Sequence, residues 1–177
     1  QPHAVLLGLT LVGLTTILGA QYLINNIEDA DLENKMRKTI KIAAVPFLVC
    51  FLAWAGILLC REGFAVDAAG TVSMEKFKYL HNLLQMPVVL GMLLVGVVLV
   101  LASIWTGGFT TSRKAIWAGG AGTVLVVMSV FFLAGFNGTA YYPSYADLQS
   151  SLTLANSSSS QFTLLVMSCV SLLIPFV

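Results

Sequence analysis

Charge is what this sequence has least of. Asp, Glu, Lys and Arg make up 10% of the 177 residues and 58% are hydrophobic, where an average soluble domain carries about a quarter charged. Nine Lys and Arg against eight Asp and Glu leave a formal net charge of +1, which excludes the basic field that nucleic acid needs and the acidic field that stores cations. Histidine is limited to two residues, and the three cysteines (Cys50, Cys60, Cys169) show no CxxC or Cys/His spacing. They read as small apolar helix residues, and the sequence predicts no metal ligand among them. Also missing is any GKS or GKT after the glycine-rich "WAGGAGT" (117–123), so no phosphate loop forms there.

What is present is apolar length. Five runs approach or exceed the roughly 20 residues that a helix needs to cross a bilayer: Ala4–Ile24, Ile42–Leu59, Pro87–Trp105, Ala115–Phe136 and Phe162–Val177. All seventeen charged residues fall outside them. In hydrocarbon the backbone must satisfy its own hydrogen bonds, and barrel-type alternation is missing, so the runs predict helices. The expected fold is an all-α integral membrane protein: a four-helix transmembrane bundle plus one further, peripheral transmembrane helix. Its expected divisions are residues 1–137 for the four helices and their loops (about 4–24, 42–59, 87–105 and 115–136), 138–161 for a Ser-rich outer loop, and 162–177 for the start of a last helix. Gln1 is not a start Met, and "SLLIPFV" lacks a polar flank, so the chain reads as part of a longer one.

Loop charge orients the helices. Lys35, Arg37, Lys38 and Lys41 with Arg113 and Lys114 put six cations on one side, against Arg61, Lys76 and Lys78 on the other. The positive-inside rule then puts the first and third loops in the cytoplasm. The first loop, "NNIEDADLENKMRKTIK", places acids before bases, as a helix complementing its dipole would, and Glu33 stands four residues before Arg37. In the second loop, "VSMEKFKYLHNLLQMP" reads as an amphipathic interfacial helix capped by Ser73, with Phe77, Leu80, Leu83 and Leu84 at helical spacing.

Few residues invite chemistry. His81 is the one to weigh as a haem ligand, but no second His or Met is paired with it by the sequence, and an interfacial polar role is the simpler reading. His3 is similarly unpaired, Met86 reads as packing, and Pro87 opens or kinks a helix. No ionisable group lies inside a span, which argues against a proton-coupled engine. Gln21, Tyr22, Thr15 and Thr16 are candidates for hydrogen bonds between helices. Gly91 and Gly96, with Gly119, Gly120 and Gly122, predict close helix packing, the alternative being a cofactor or lipid groove. Asn137 and Asn156 fit the glycosylation sequon, which matters only in a secretory lumen. Tyr141, Tyr142 and Tyr145 around Pro143 fit an interfacial aromatic belt, and Ser159 or Ser160 within Ser157–Ser160 would cap the last helix.

The run "YYPSYADLQSSLTLANSSSSQFTLLVM" (141–167) carries a resemblance. A Pro-containing aromatic turn leads into an SLT, Asn, Ser-rich, TL, Met pattern, through Ser151, Leu152, Thr153, Asn156, Ser158, Ser159, Thr163, Leu164 and Met167. It resembles the outer loop and final-helix start of subunit II of cytochrome bd-type quinol oxidases (the CydB family). "QPHAVLLGLTLVGLTTILGAQYL" is similar, more loosely, to the segment opening that subunit's second half. The resemblance implies the C-terminal half of subunit II, a non-haem membrane partner that stabilises a haem-bearing subunit I. There b- and d-type haems couple quinol oxidation to reduction of oxygen to water. It also implies the inner membrane of a prokaryote, and a small single-helix subunit, membrane lipid and quinol as further partners. Some members hold a quinone or lipid in subunit II. No catalytic, cofactor-binding or metal residue is expected in this segment. The competing reading is a transporter or channel module, which would call for broken helices at matched positions of two halves or a polar midplane; the sequence displays neither, and Pro46 and Pro87 are what keep that reading open.

Overall fold

The computed structural model describes residues 2–67, 69–140 and 142–153. Five α-helices lie among them: α1 (Pro2–Asn26), α2 (Ala30–Cys60), α3 (Lys78–Gln85), α4 (Pro87–Phe109) and α5 (Ala115–Gly135), with strands β1 (Gly63–Val66) and β2 (Val72–Glu75) between α2 and α3. Four of the helices, α1, α2, α4 and α5, are long and apolar enough to cross a membrane. The chain is an all-α membrane protein, as its apolar runs predict. The last apolar run, 162–177, and the caps expected at Ser157–Ser160 lie outside the described residues. Two compact units divide the chain: Gln1–Gly63 with Lys76–Leu133, and Phe64–Glu75 with Ala134–Val177.

In the helix unit, α1 and α2 pack along most of their apolar length. Ile17, Ala20 and Ile24 of α1 meet Ile40, Ala44 and Phe47 of α2, joined by Val100 and Ile104 of α4. These positions recur every three or four residues, the stripe a helix buries. Between membrane helices apolar burial gives little net drive, so close approach matters more. Gly13 lets the α2 backbone in, since a Cβ there would stand 2.9 Å from Phe47 Cβ. Gly96 and Gly122 do the same for α4 and α5, where a Cβ on Gly122 would stand 2.7 Å from the Gly96 carbonyl oxygen. The packing expected of the glycines is selective: nothing lies within 4 Å of a Cβ at Gly91 or Gly120.

α2 has 31 residues, about 46 Å at 1.5 Å per residue, against about 30 Å of hydrocarbon. Its charged first turns are therefore an extension of the span. Asp29 caps them, its Oδ1 accepting from Asp31 N at 2.8 Å and Leu32 N at 3.0 Å. Pro46 sits inside α2 without ending it, and Pro87 occupies the first turn of α4, where the missing N–H costs nothing. Neither proline unwinds a span at its centre, as a transporter's broken helices would require.

The helix expected from Ser73 begins later, because residues 72–75 pair with 63–66 as a two-stranded sheet. Ser73 is a strand residue and caps nothing. The cause is the turn before it: Asp67 Oδ1 accepts from Ala69 N at 3.0 Å and Thr71 N at 2.8 Å, and Gly70 takes φ +82°, so the chain reverses tightly. α3 starts after Phe77, itself left-handed at φ 56°. Of the predicted stripe, Leu83 is buried, Leu80 half-buried, and Phe77 and Leu84 exposed.

In the loop unit, Val66 N donates to Gly138 O at 2.8 Å and Ala140 N to Phe64 O at 3.1 Å, extending the hairpin with residues 138–140. Phe64, Val72 and Ala140 form the core, and Tyr145 meets Phe64 edge-on with centroids 5.0 Å apart. Gln149 brackets Val72, its Nε2 donating to Val72 O at 3.2 Å. Ser151 is fully buried; its hydroxyl accepts from Ser144 N at 2.9 Å. Leu152 N donates to Tyr142 O at 3.0 Å. The "SLT" triplet is thus a hydrogen-bonding joint of this unit.

Candidate functional site

Two features of the helix unit could carry function: a lashed basic end and an apolar groove. At the basic end, arginines fasten helix C-termini whose last carbonyls have no intrahelical partner. Arg113 donates from Nε to Ile24 O at 2.9 Å and from Nη2 to Ile27 O, while Nη1 meets Glu28 at 3.2 Å. Arg37 donates from Nη1 to Gly107 O at 2.8 Å and from Nη2 to Ser112 O at 3.2 Å. It is held by Glu33 at 2.6 Å, the i,i+4 pair expected from the sequence. A guanidinium suits this task because its fork of donors reaches two acceptors at once.

Deeper in the unit, Gln21 is buried and bridges helices as expected, Nε2 donating to Ser103 O at 3.0 Å and Ser103 Oγ at 3.2 Å. Tyr22 is exposed. Thr15 and Thr16 do not bridge helices: both hydroxyls return to carbonyls of their own helix, Leu11 O and Val12 O, the bond a threonine makes most readily in a span. Sequence reading missed Asn82, fully buried on α3 with its Nδ2 donating to Leu133 O at 3.3 Å. Its only signal is an amide beside two leucines in an otherwise amphipathic helix.

The groove has a volume of about 530 Å³ and is lined by all four long helices, with Leu14 (α1), Phe47 and Phe51 (α2), Val97 (α4) and Val126 and Val130 (α5) among its walls. That size falls in the range of small-molecule sites. Its two hydroxyls are already engaged within their helices, Thr10 to Leu6 O and Thr123 to Gly119 O. Among the described residues no ionisable side chain lines it. Its walls suit hydrocarbon.

The histidines fall in separate settings. His3 lies 3.1 Å from Arg61 Nη1 through its Nε2, and His81 is exposed on α3. Among the described residues no three His, Cys, Asp or Glu side chains cluster as a metal site would need. Cys50 is half-buried and Cys60 exposed, both as free thiols. Cys169 and Asn156 lie outside the described residues. Asn137 sits in a left-handed turn at φ 58°.

Fold and site together define a polytopic α-helical membrane protein with an apolar groove among its long helices. The chain belongs to the cytochrome bd terminal oxidase subunit II family, whose family model matches residues 1–177. It is 30% identical over 191 residues to the cytochrome bd-I ubiquinol oxidase subunit 2 of Escherichia coli strain K12, and equally to those of strains O6:H1 and O157:H7. The match covers 100% of this chain and 49% of each relative, so the chain spans about half the length of the curated relatives it matches.

Proposed function

We propose that this chain forms the second half of subunit II of a terminal oxidase that oxidises quinol and reduces oxygen to water, in the inner membrane of a prokaryote. Its role is to stabilise the haem-bearing subunit I through its helix faces, and it supplies no catalytic residue, haem ligand or metal ligand. The observation that carries this reading is the family match along the whole chain. An interior without ionisable groups lining its groove supports a structural rather than a redox part. The basic end, with Arg37, Arg113 and the lysines around them, faces the cytoplasm by the positive-inside rule. The groove suits an isoprenoid quinone tail or a lipid chain, which need only apolar walls. A small single-helix subunit completes the assembly.

The test is a reduced-minus-oxidised optical spectrum of the native complex. The expected result is b- and d-type haem bands with a second polytopic subunit co-purifying, and the same bands after His81→Ala. A complex without those bands, or a chain that purifies without a second polytopic subunit, overturns the reading.

A further inference from the structure

The fold uses both arginines of the basic end and leaves lysines over. Lys35, Lys38, Lys41 and Lys114 are all exposed, and among the described residues the ion pairs nearby are those of Arg37 with Glu33 and Arg113 with Glu28. Between residues 34 and 47 there is no acid at all. Lys41 is nonetheless positioned. Its stem lies along α4, where a Cβ on Gly108 would stand 3.4 Å from Lys41 Cγ, and its Nζ sits 4.9 Å from the centre of the Phe109 ring. Phe109 stacks on Trp105 with centroids 4.9 Å apart, although Trp105 is 62% and Phe109 57% exposed.

The exposed stripes of the two helices end at this corner. On α2, Ile42, Val45, Val49 and Leu52 face outward, and Lys38 and Lys41 stand one turn before Ile42 and Val45. On α4, Leu94, Val98 and Leu101 face outward and lead to Trp105 and Phe109. An apolar stripe that finishes in ammonium groups on one helix and in aromatic rings on its neighbour matches a phospholipid in order: chains, interface, charged head.

We propose that this corner binds one anionic phospholipid, its headgroup phosphate held by Lys38 and Lys41 and its glycerol and chains lying against Trp105, Phe109 and the two stripes. Charge complementarity selects the occupant. A zwitterionic lipid would bring its own cation to the lysines, and an apolar protein face would leave two ammonium groups without counter-charge. Lys38, Lys41, Trp105 and Phe109 lie outside the groove, whose wall the stripes reach only at Leu52 and Leu101, and the site does not depend on the oxidase reading, since it needs only the membrane helices.

The experiment uses the full native complex in vesicles of phosphatidylcholine doped with a photoreactive lipid, either phosphatidylglycerol or phosphatidylcholine with the same chains. After illumination, labelling of the peptides bearing Trp105 and Phe109 is quantified. The anionic probe is expected to label at least about tenfold more than the zwitterionic one, given about fivefold per lysine near an anionic headgroup. K38Q/K41Q should bring the two probes level, and K38R/K41R should keep the preference. Equal labelling by the two probes in the native complex overturns the site, as does a preference that survives K38Q/K41Q. If K38Q/K41Q fails to assemble, salt decides: a wild-type preference that does not shrink at high ionic strength overturns the proposal. A photo-cross-linking side chain at Phe109 that captures a protein chain instead of lipid also overturns it, making the corner a subunit interface.

Discussion

Gln21 and Ser103 join α1 to α4 by a buried pair of amide donations, 3.0 Å to the Ser103 carbonyl and 3.2 Å to its hydroxyl, and Gly119 of α5 closes over them. The Gln21 Oε1 is left buried without a partner, and a Cβ on Gly119 would stand 2.6 Å from it and 3.0 Å from both Ser103 Oγ and Leu18 Cδ2. Gly119→Ala should therefore destabilise the assembled subunit by about 1–3 kcal/mol through overpacking. Gln21→Met removes two bonds worth roughly 0.6 kcal/mol each in a membrane together with the orphaned acceptor, so its net effect should stay within about 1 kcal/mol. Thermal melting of the purified complex ranks the two, and a Gln21→Met loss larger than that of Gly119→Ala would contradict this account.

A second prediction separates glycines that permit contact from glycines that merely occur. At Gly122 an added methyl meets Gly96 O at 2.7 Å and Leu99 Cβ and Val100 N at 2.8 Å, two of them backbone atoms that cannot yield. Gly122→Ala should lower the melting temperature, with a cost of about 1–3 kcal/mol. Gly120→Ala meets nothing within 4 Å and should be neutral or stabilising by up to about 1 kcal/mol from helix propensity alone. Equal responses at the two positions would show that α4 and α5 do not approach as described.

That contrast also marks how far sequence could be read. The spans are legible because hydropathy over some twenty residues is a sum that single exceptions do not disturb. Which glycine packs is not legible, because Gly119, Gly120 and Gly122 differ only in helical phase, and phase relative to a neighbour is set by tertiary contact. The strand at Ser73 is hidden for another reason. The 3.6-residue pattern of Phe77, Leu80 and Leu84 masked the Asp67 to Gly70 turn, whose Asp side chain and left-handed glycine draw the following residues into a strand. Asn82 is not legible, because a polar residue on an interfacial helix ordinarily faces water, and here it is fully buried. Gln21 was legible, since an amide near the end of an apolar run has few partners other than a neighbouring helix.

Arg113 offers a test of the lashed end. It satisfies Ile24 O and Ile27 O beyond the reach of α1's own donors while a third of its side chain remains exposed. Arg113→Ala should cost about 1.5–2 kcal/mol, the lower part of the range for hydrogen bonds to charged groups. Hydrogen exchange should quicken at residues 24–28 and stay unchanged at 63–75. Arg113→Lys should recover less than half of the loss, because an ammonium cannot reproduce the fork. Full rescue by lysine would mean that charge near the helix terminus, and not the geometry of the donors, holds α1.

The loop unit carries the pH prediction. The Ser150 hydroxyl at 2.6 Å and the Gln149 backbone N–H at 3.1 Å both donate to Asp147 and hold its carboxyl below the ordinary value of 3.8. These bonds favour the ionised form. A depressed folded-state pKa contributes stability above the unfolded value, and that contribution disappears as pH falls through the folded one. The turn at Leu148–Ser150 should accordingly keep this contribution at neutral pH and lose it only in acid below 3.8. Removing the leading donor with Ser150→Ala should move the carboxyl midpoint upward while leaving the Gln149 bond in place. A titration of carboxyl-labelled Asp147 by NMR in the intact complex reads this directly, and an unchanged midpoint in Ser150→Ala would remove the hydroxyl as the main cause of the shift.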